Sequence, residues 1–307
     1  MKVYINSAKE NWVVDRFIKE WNNYNFKQSK SYFFGNKLIW LIAPWTWHKI
    51  PLTYLTKNKV LCTIHHIDED KFTETESKKF QERDTYVNAY HVISNKTFDQ
   101  VKKLTSKPIY KIPFWVNQNI WFSIENKKSL RKKFNINNDA YLVGSFQRDT
   151  EGKDLISPKL SKGPDQFIKI ILHLNEKHDN LLVLLTGKRR NYMISELRKN
   201  KINFKYFEMA SFKEINELYN LLDLYIVSSR FEGGPQSILE CGITKTPIIS
   251  TNVGIAEEIL GSESIFNMSN FEKAKPNIEI AYKNSKQFII PQGFNIFNQV
   301  LKEVYEN

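Results

Sequence analysis

Cysteine is almost absent from this chain. Two residues, Cys62 and Cys241, stand far apart among 307, so no disulfide framework is expected and a reducing, cytoplasmic setting fits. Long apolar runs are missing too. No stretch approaches the roughly 18 residues that a membrane-spanning helix requires. The start, Met1-Lys2-Val3-Tyr4-Ile5-Asn6, reads as a short strand rather than the apolar core of a secretion signal. The sequons Asn95-Lys96-Thr97 and Asn267-Met268-Ser269 are accordingly read as chance. No Asp-x-Asp pair closes a strand. The nearest acidic group, Asp68-Glu69-Asp70, follows His65-His66 in a polar loop and reads as solvated. Neither a metal nor a bound cofactor is expected. No short-period repeat is visible, which argues against a solenoid.

What is present is a globular composition, 41% hydrophobic and 25% charged, long enough for two domains. The charge is uneven. Residues 1–118 hold 19 Lys and Arg against 11 Asp and Glu, residues 119–138 hold 5 against 1, and residues 139–307 hold 21 of each. All seven tryptophans (Trp12, Trp21, Trp40, Trp45, Trp47, Trp115, Trp121) fall in the first 121 residues. A basic, Trp-rich half suits an anionic or membrane-surface acceptor, with the segment 38–55 taking part. Equally, the tryptophans fill a core and the lysines keep the domain in solution. Nucleic acid is not expected as a partner.

Apolar runs alternate with amphipathic ones along the whole chain, the rhythm of parallel sheets covered by helices. In the first half, strands are expected at 2–6, 37–43, 59–64, 89–93 and 109–114, with helices at 11–24, 74–84 and 97–104. In the second half, strands are expected at 141–146, 181–186, 203–207, 224–228 and 247–251. Helices there fall at 164–178, 192–200, 213–222 and 235–243, with a last one at 294–305. The domain reading is 1–118, a linker at 119–138, a second domain at 139–290, and a C-terminal helix at 291–307.

One segment carries chemistry: Arg230-Phe231-Glu232-Gly233-Gly234-Pro235-Gln236-Ser237-Ile238-Leu239-Glu240, which follows the apolar run Leu224–Val227. A strand that ends in a Gly-Gly-Pro turn and opens a helix is a natural anion site. Glycine admits close backbone approach, Pro235 suits a first helical position, and free helix-start N–H groups face a phosphate. Ser237 stands where it faces the same phosphate. Glu232 and Glu240 then suit hydroxyls, and hydroxyls with phosphate describe a sugar nucleotide.

These residues resemble a retaining glycosyltransferase of the GT-B fold, family 4 type, whose signature is Glu-x7-Glu in this setting. The resemblance is strongest over residues 140–262, through Val143-Gly144-Ser145-Phe146, Ser161-Lys162-Gly163, Leu184-Leu185-Thr186-Gly187, the two glutamates and Thr246-Pro247-Ile248-Ile249-Ser250. It implies an α/β chain of two Rossmann-like domains facing across a cleft, with a trimmed N-terminal one and a last helix packing back on it. By the same resemblance, Glu240 binds the nucleotide ribose and Glu232 meets the transferred sugar. Gly233 and Gly234 offer backbone N–H groups to the donor. Lys162 and Arg148 neutralise the leaving diphosphate, and His65 reaches the sugar. The spacing departs from the family: thirteen residues, Asp149–Ser161, separate Arg148 from Lys162, so Lys153 rivals Arg148. Lys188-Arg189-Arg190 reads as a solvated loop, and Asn6 and Ser7 stand where the family has a glycine-rich loop near the acceptor.

The implied function is metal-independent transfer of a sugar from a nucleotide diphosphate sugar to a glycan or lipid-linked acceptor, with retention, in surface polysaccharide assembly. Peripheral contact with an anionic membrane is part of that expectation. A sugar-nucleotide epimerase on the same fold and a non-enzymatic binder of anionic polymers stay open beside it.

Overall fold

The computed structural model describes residues 1–10, 13–32, 34–35 and 37–307. Asn11 and Trp12, the start of the first expected helix, lie outside the described residues. The chain forms two compact units, Met1–Phe114 with Pro291–Asn307, and Trp115–Ile290.

The first unit carries a six-stranded parallel sheet of β1 (Val3–Ile5), β2 (Ser29–Lys30), β3 (Leu38–Leu41), β4 (Lys59–Ile64), β5 (Ala89–Val92) and β6 (Ile109–Lys111), in the order β2-β1-β3-β4-β5-β6. β3 and β5 are buried throughout, as continuous apolar runs covered on both faces require. Helix Val13–Tyr24 turns Val14, Phe17 and Trp21 inward. The last helix, Gln292–Glu306, belongs to this unit. Its Phe297 stacks on Trp40 and Phe114, and its Phe294 meets Trp21 edge-on. Beside them Trp40 Nε1 donates to Thr63 Oγ1 at 2.8 Å, and Thr63 pairs with His91 Nδ1 at 3.0 Å.

Burial favours the core reading for four of the tryptophans. Trp21, Trp40, Trp115 and Trp121 are fully enclosed, while Trp45 is 39% exposed. The segment 38–55 begins as the central strand β3, followed by a 3-10 turn, Pro44–Lys49, and a short helix, Leu52–Lys57. Large aromatic rings gain most from leaving water, so the core claimed them.

The second unit carries another parallel sheet, of β7 (Tyr141–Ser145), β8 (Leu181–Thr186), β9 (Phe204–Phe207), β10 (Leu224–Val227), β11 (Ile248–Thr251) and β12 (Ile265–Phe266), in the order β12-β11-β10-β7-β8-β9. Its core gathers Val143, Phe167, Ile171, Val183, Leu197 and Ile226. The segment expected as a linker is instead folded into this unit. Residues Lys127–Lys133 form a helix, Arg131 is buried, and Trp121 packs edge-on to Tyr219. Asp223 holds the helix by pairing with Lys127 at 2.8 Å and Arg131 at 3.0 Å, and Glu217 pairs with Lys133 at 2.5 Å. A run of like charges cannot reveal such distant partners. Gln118 clamps the unit's two chain ends by bonding both the carbonyl and the amide of Ile290.

Candidate active site

In the second sheet β7 lies beside β10, and the winding reverses between them. Ligands in open parallel sheets bind beyond the carboxyl ends of strands at such a reversal. Gln147 and Arg148 follow β7, and the Glu-Gly-Gly-Pro turn follows β10.

Both turns are fastened to a third piece, Ser161-Lys162-Gly163. Gly163 has φ +59° and ψ 43°, and a Cβ there would stand 1.8 Å from the Ser228 carbonyl oxygen. Only glycine tolerates both demands. Ser228 Oγ donates to the Gly163 carbonyl at 2.8 Å, and the amides of Arg230 and Phe231 donate to the Ser161 carbonyl at 2.9 and 3.1 Å. The Lys-Gly and Glu-Gly-Gly-Pro segments are therefore a single stitched structure.

Lys162 and Glu232 meet in that structure. The Lys162 ammonium donates to Glu232 Oε1, with both side chains largely buried. Ser229 Oγ donates to the same carboxylate oxygen at 3.0 Å, and the Gln147 side chain donates to the Lys162 carbonyl at 3.0 Å. Ser229 is fixed in turn by Thr251 Oγ1, which donates to its carbonyl at 2.6 Å. Gln147 and Ser229 escaped the sequence reading. Only the arrangement of strand ends reveals them.

The helix runs Gln236–Thr244, so Pro235 occupies the capping position rather than the first helical one, with φ −58° and an extended ψ of 111°. No side chain caps this helix start, which leaves first-turn N–H groups facing outward along the positive end of the helix dipole. Gly233 and Gly234 do not adopt left-handed backbone. Left-handed backbone falls instead on Gly163 and Gly254, which pack against this turn. A Cβ on Gly254 would meet Gly233 O at 2.8 Å and Pro235 Cδ at 2.7 Å. Ser237 stands in the first turn of this helix, beside the buried Tyr225 phenol. Glu240 is buried and accepts from the Tyr219 hydroxyl at 2.9 Å. Gln236 precedes Glu240 by four residues, on one helix face. Its amide nitrogen and oxygen are both buried without a hydrogen-bond partner, a state that ordinarily calls for a ligand or water.

The remaining bases divide clearly. Arg148 is exposed beside the site. Lys153 is exposed within the 149–161 loop. Arg230 is held by a two-pronged bond to Asp165, at 2.7 and 2.6 Å, which keeps the Asp165 carboxyl below the usual range. In Lys188-Arg189-Arg190 the expectation of a solvated loop fails for Arg190, which is buried with Nε 2.9 Å from Asp149 Oδ2.

His65 belongs to the first unit, where it closes β4. Its Nε2 lies 2.8 Å from the Ile42 carbonyl, and its ring stacks on Phe114. A carbonyl only accepts, so Nε2 carries the proton and Nδ1 is left as an acceptor. Burial pulls its pKa down to about 4, which keeps the ring neutral near pH 7. His66 is exposed. Asn6 is buried and bridges the ends of β1 and β3, donating to Ala43 O at 2.8 Å and accepting from Ala43 N at 3.0 Å. It fastens the ends of these two neighbouring strands together. In the acidic loop, Asp68 lies 4.0 Å from Lys71 and Glu69 accepts from Gln100 at 2.7 Å.

The family model described as glycosyl transferases group 1 matches residues 126–289, more than half of the chain. The chain belongs to this family. It is 26% identical over 201 residues to the O-antigen biosynthesis glycosyltransferase WclY of Escherichia coli, a match covering 59% of this chain and 53% of that protein. The chain spans about half the length of the curated relatives it matches. Its fold is shared with Anabaena Alr3699/HepE, solved with UDP and glucose (TM-score 0.75, 11% identity, 98% of this chain and 99% of that one). It is shared also with sucrose-phosphate synthase of Thermosynechococcus elongatus (TM-score 0.70, 13% identity, 98% and 81%) and a glycosyltransferase of Rickettsia africae (TM-score 0.67, 18% identity, 98% and 84%). Two six-stranded parallel sheets of this kind make a GT-B fold. The matched region contains the whole 147–254 site.

Proposed function

We propose that this group 1 family member transfers a sugar from a nucleotide diphosphate sugar to a glycan or lipid-linked acceptor, with retention, as a family 4 type enzyme bearing the Glu-x7-Glu motif. The observation that carries this reading is the Lys162–Glu232 pair, set at the sheet reversal beside an uncapped helix start.

In this reading Glu240, steadied by Tyr219, accepts from the ribose hydroxyls. Glu232 accepts from hydroxyls of the transferred sugar, and Lys162 then turns its charge to the diphosphate. Amides around Gly233, Gly234 and the first turn after Pro235 complete the phosphate site. As the glycosidic bond to the diphosphate breaks, negative charge grows on the leaving oxygen, and fixed cations there lower the barrier. Lys162 and Arg148 take that role, so no metal is required. His65 offers Nδ1 as an acceptor to a sugar hydroxyl. Two of its relatives, an O-antigen biosynthesis glycosyltransferase and a protein solved with UDP and glucose, support this donor and acceptor class.

The test is a thermal-shift panel of UDP, GDP, ADP, CMP and dTDP sugars, followed by transfer assays with the donor that binds. A ligand of the folded state raises the melting temperature by mass action. No shift with any nucleotide sugar would remove the donor reading.

A further inference from the structure

The 149–161 segment, where the spacing departs from the family pattern, folds into a hairpin that returns to the site. Thr150 and Pro158 form an antiparallel bridge, the Lys159 amide donates to the Asp149 carbonyl at 2.7 Å, and Glu151 N donates to Ser157 O at 3.0 Å. Its base is anchored in the core by Asp149 against Arg190, while Thr150 Oγ1 donates to Arg189 O at 3.2 Å. At the tip, Gly152 and Leu155 take left-handed backbone and the Asp154 side chain caps Ile156 and Ser157. The chain then comes back through Lys159 into the 3-10 turn that presents Lys162.

The consequence is a third cation. Lys159 is half-buried and feels the charges of Arg148 and Lys162 on one side and of Glu151 and Glu232 on the other. Three bases nearby are engaged: Lys162 with Glu232, Arg230 with Asp165, Arg190 with Asp149. Among the described residues no carboxylate lies within ion-pair distance of the Lys159 ammonium. Burial, then Arg148 and Lys162, pull its pKa from the usual lysine range down to about 8. Like charges gathered in a half-buried place are unfavourable until an anion joins them.

We propose that the 149–161 hairpin adds Lys159 to the donor site as a third diphosphate-binding cation, alongside Lys162 and Arg148. The inference rests on the nucleotide-sugar reading above. A bound diphosphate restores the ammonium, so above pH 8 binding takes up a proton and affinity falls as pH rises. Below pH 8 Lys159 is already charged and affinity is level with respect to it.

The test is calorimetric titration of the full chain with UDP, GDP and ADP in parallel, at pH 7 and pH 9, each in two buffers of different ionisation heat. The wild type is expected to bind one diphosphate with proton uptake at pH 9. Lys159→Met weakens binding at pH 7 by about tenfold or more, the loss typical of a charge-assisted contact. Lys159→Arg binds well at both pH values and loses the proton uptake; titration of the base is common to both proteins and cancels. Lys177→Met, exposed just beyond the helix Pro164–Asn175, leaves affinity unchanged, and melting temperatures confirm that each variant is folded. Wild-type affinity in Lys159→Met, with the same pH profile, overturns the inference and leaves the donor site standing. No binding of any diphosphate by the wild type overturns both.

Discussion

The Tyr219 hydroxyl donates to Glu240 Oε2 at 2.9 Å, and both groups are buried. Tyr219 comes from the helix Phe212–Leu221 and is held between Trp121, Phe146 and Tyr225. Burial and the adjoining Glu240 charge push its phenol pKa well up, so it remains a donor at any physiological pH. This hydrogen bond holds one oxygen of the carboxylate assigned to the ribose.

Removing that bond separates orientation from charge. Tyr219→Phe is expected to weaken nucleotide-sugar binding by about three- to tenfold, about 0.7–1.4 kcal/mol, because Glu240 keeps its charge and loses only a bond that orients it. Glu240→Ala is expected to cost more, about 1.5–3 kcal/mol. Calorimetric titration with the bound donor measures both. Unchanged affinity in Glu240→Ala removes the ribose assignment.

The Lys162–Glu232 pair leads to a different signature. Lys162→Met removes a cation whose role grows as the leaving diphosphate gains charge, so the turnover rate is expected to fall by about a hundredfold or more while donor KM moves less. Glu232→Gln keeps the shape but gives up the charged acceptor, and it too is expected to act on turnover first. Steady-state kinetics with the donor varied decides. A rise in KM alone, with turnover intact, assigns both residues to uniform binding instead.

Metal independence is tested directly. Transfer is expected to continue at full rate in excess EDTA, the outcome required if Lys162 and Arg148 supply the positive charge. Loss in EDTA with recovery in added Mn²⁺ would return attention to Asp68 and Asp70.

The second unit was legible in the sequence where the physics is local. Short apolar runs between turn signals, such as Leu181–Thr186, read as buried strands, and the turn from Glu232 to Pro235 announces a strand-to-helix junction. What escaped depends on distant partners. The basic helix Lys127–Lys133 needs Asp223 and Glu217, some ninety residues on, to make sense. Lys159 reaches the site only because the hairpin closes, and Gly163 and Gly254 matter through left-handed backbone that no composition reveals. The tryptophans left two readings open for a related reason: an aromatic ring suits a membrane surface and a core equally, and only packing distinguishes them. With Trp21 and Trp40 enclosed, the membrane expectation retains its basic charge and the exposed Trp45 as support.

Acid should expose a weakness in the first unit. His91 is fully buried, with Nε2 2.8 Å from the Ile112 carbonyl and Nδ1 facing the Thr63 hydroxyl, amid Trp40, Phe114 and Phe297. Burial pulls its pKa down to about 3, with His65 adding a smaller push the same way. Its folded pKa thus lies below the unfolded value of about 6.5. The unfolded chain takes up a proton that the folded one refuses. The stability tied to neutral His91 is complete above pH 6.5 and is lost as pH falls toward 3, at up to about 1.4 kcal/mol per pH unit. Urea unfolding at steps between pH 7 and 4.5 is expected to show this slope. His91→Gln keeps an amide donor for Ile112 but cannot titrate. It is expected to be less stable at pH 7 and to lose stability more gradually on acidification. An identical slope in wild type and variant would place the acid sensitivity elsewhere, among the carboxylates paired in the second unit.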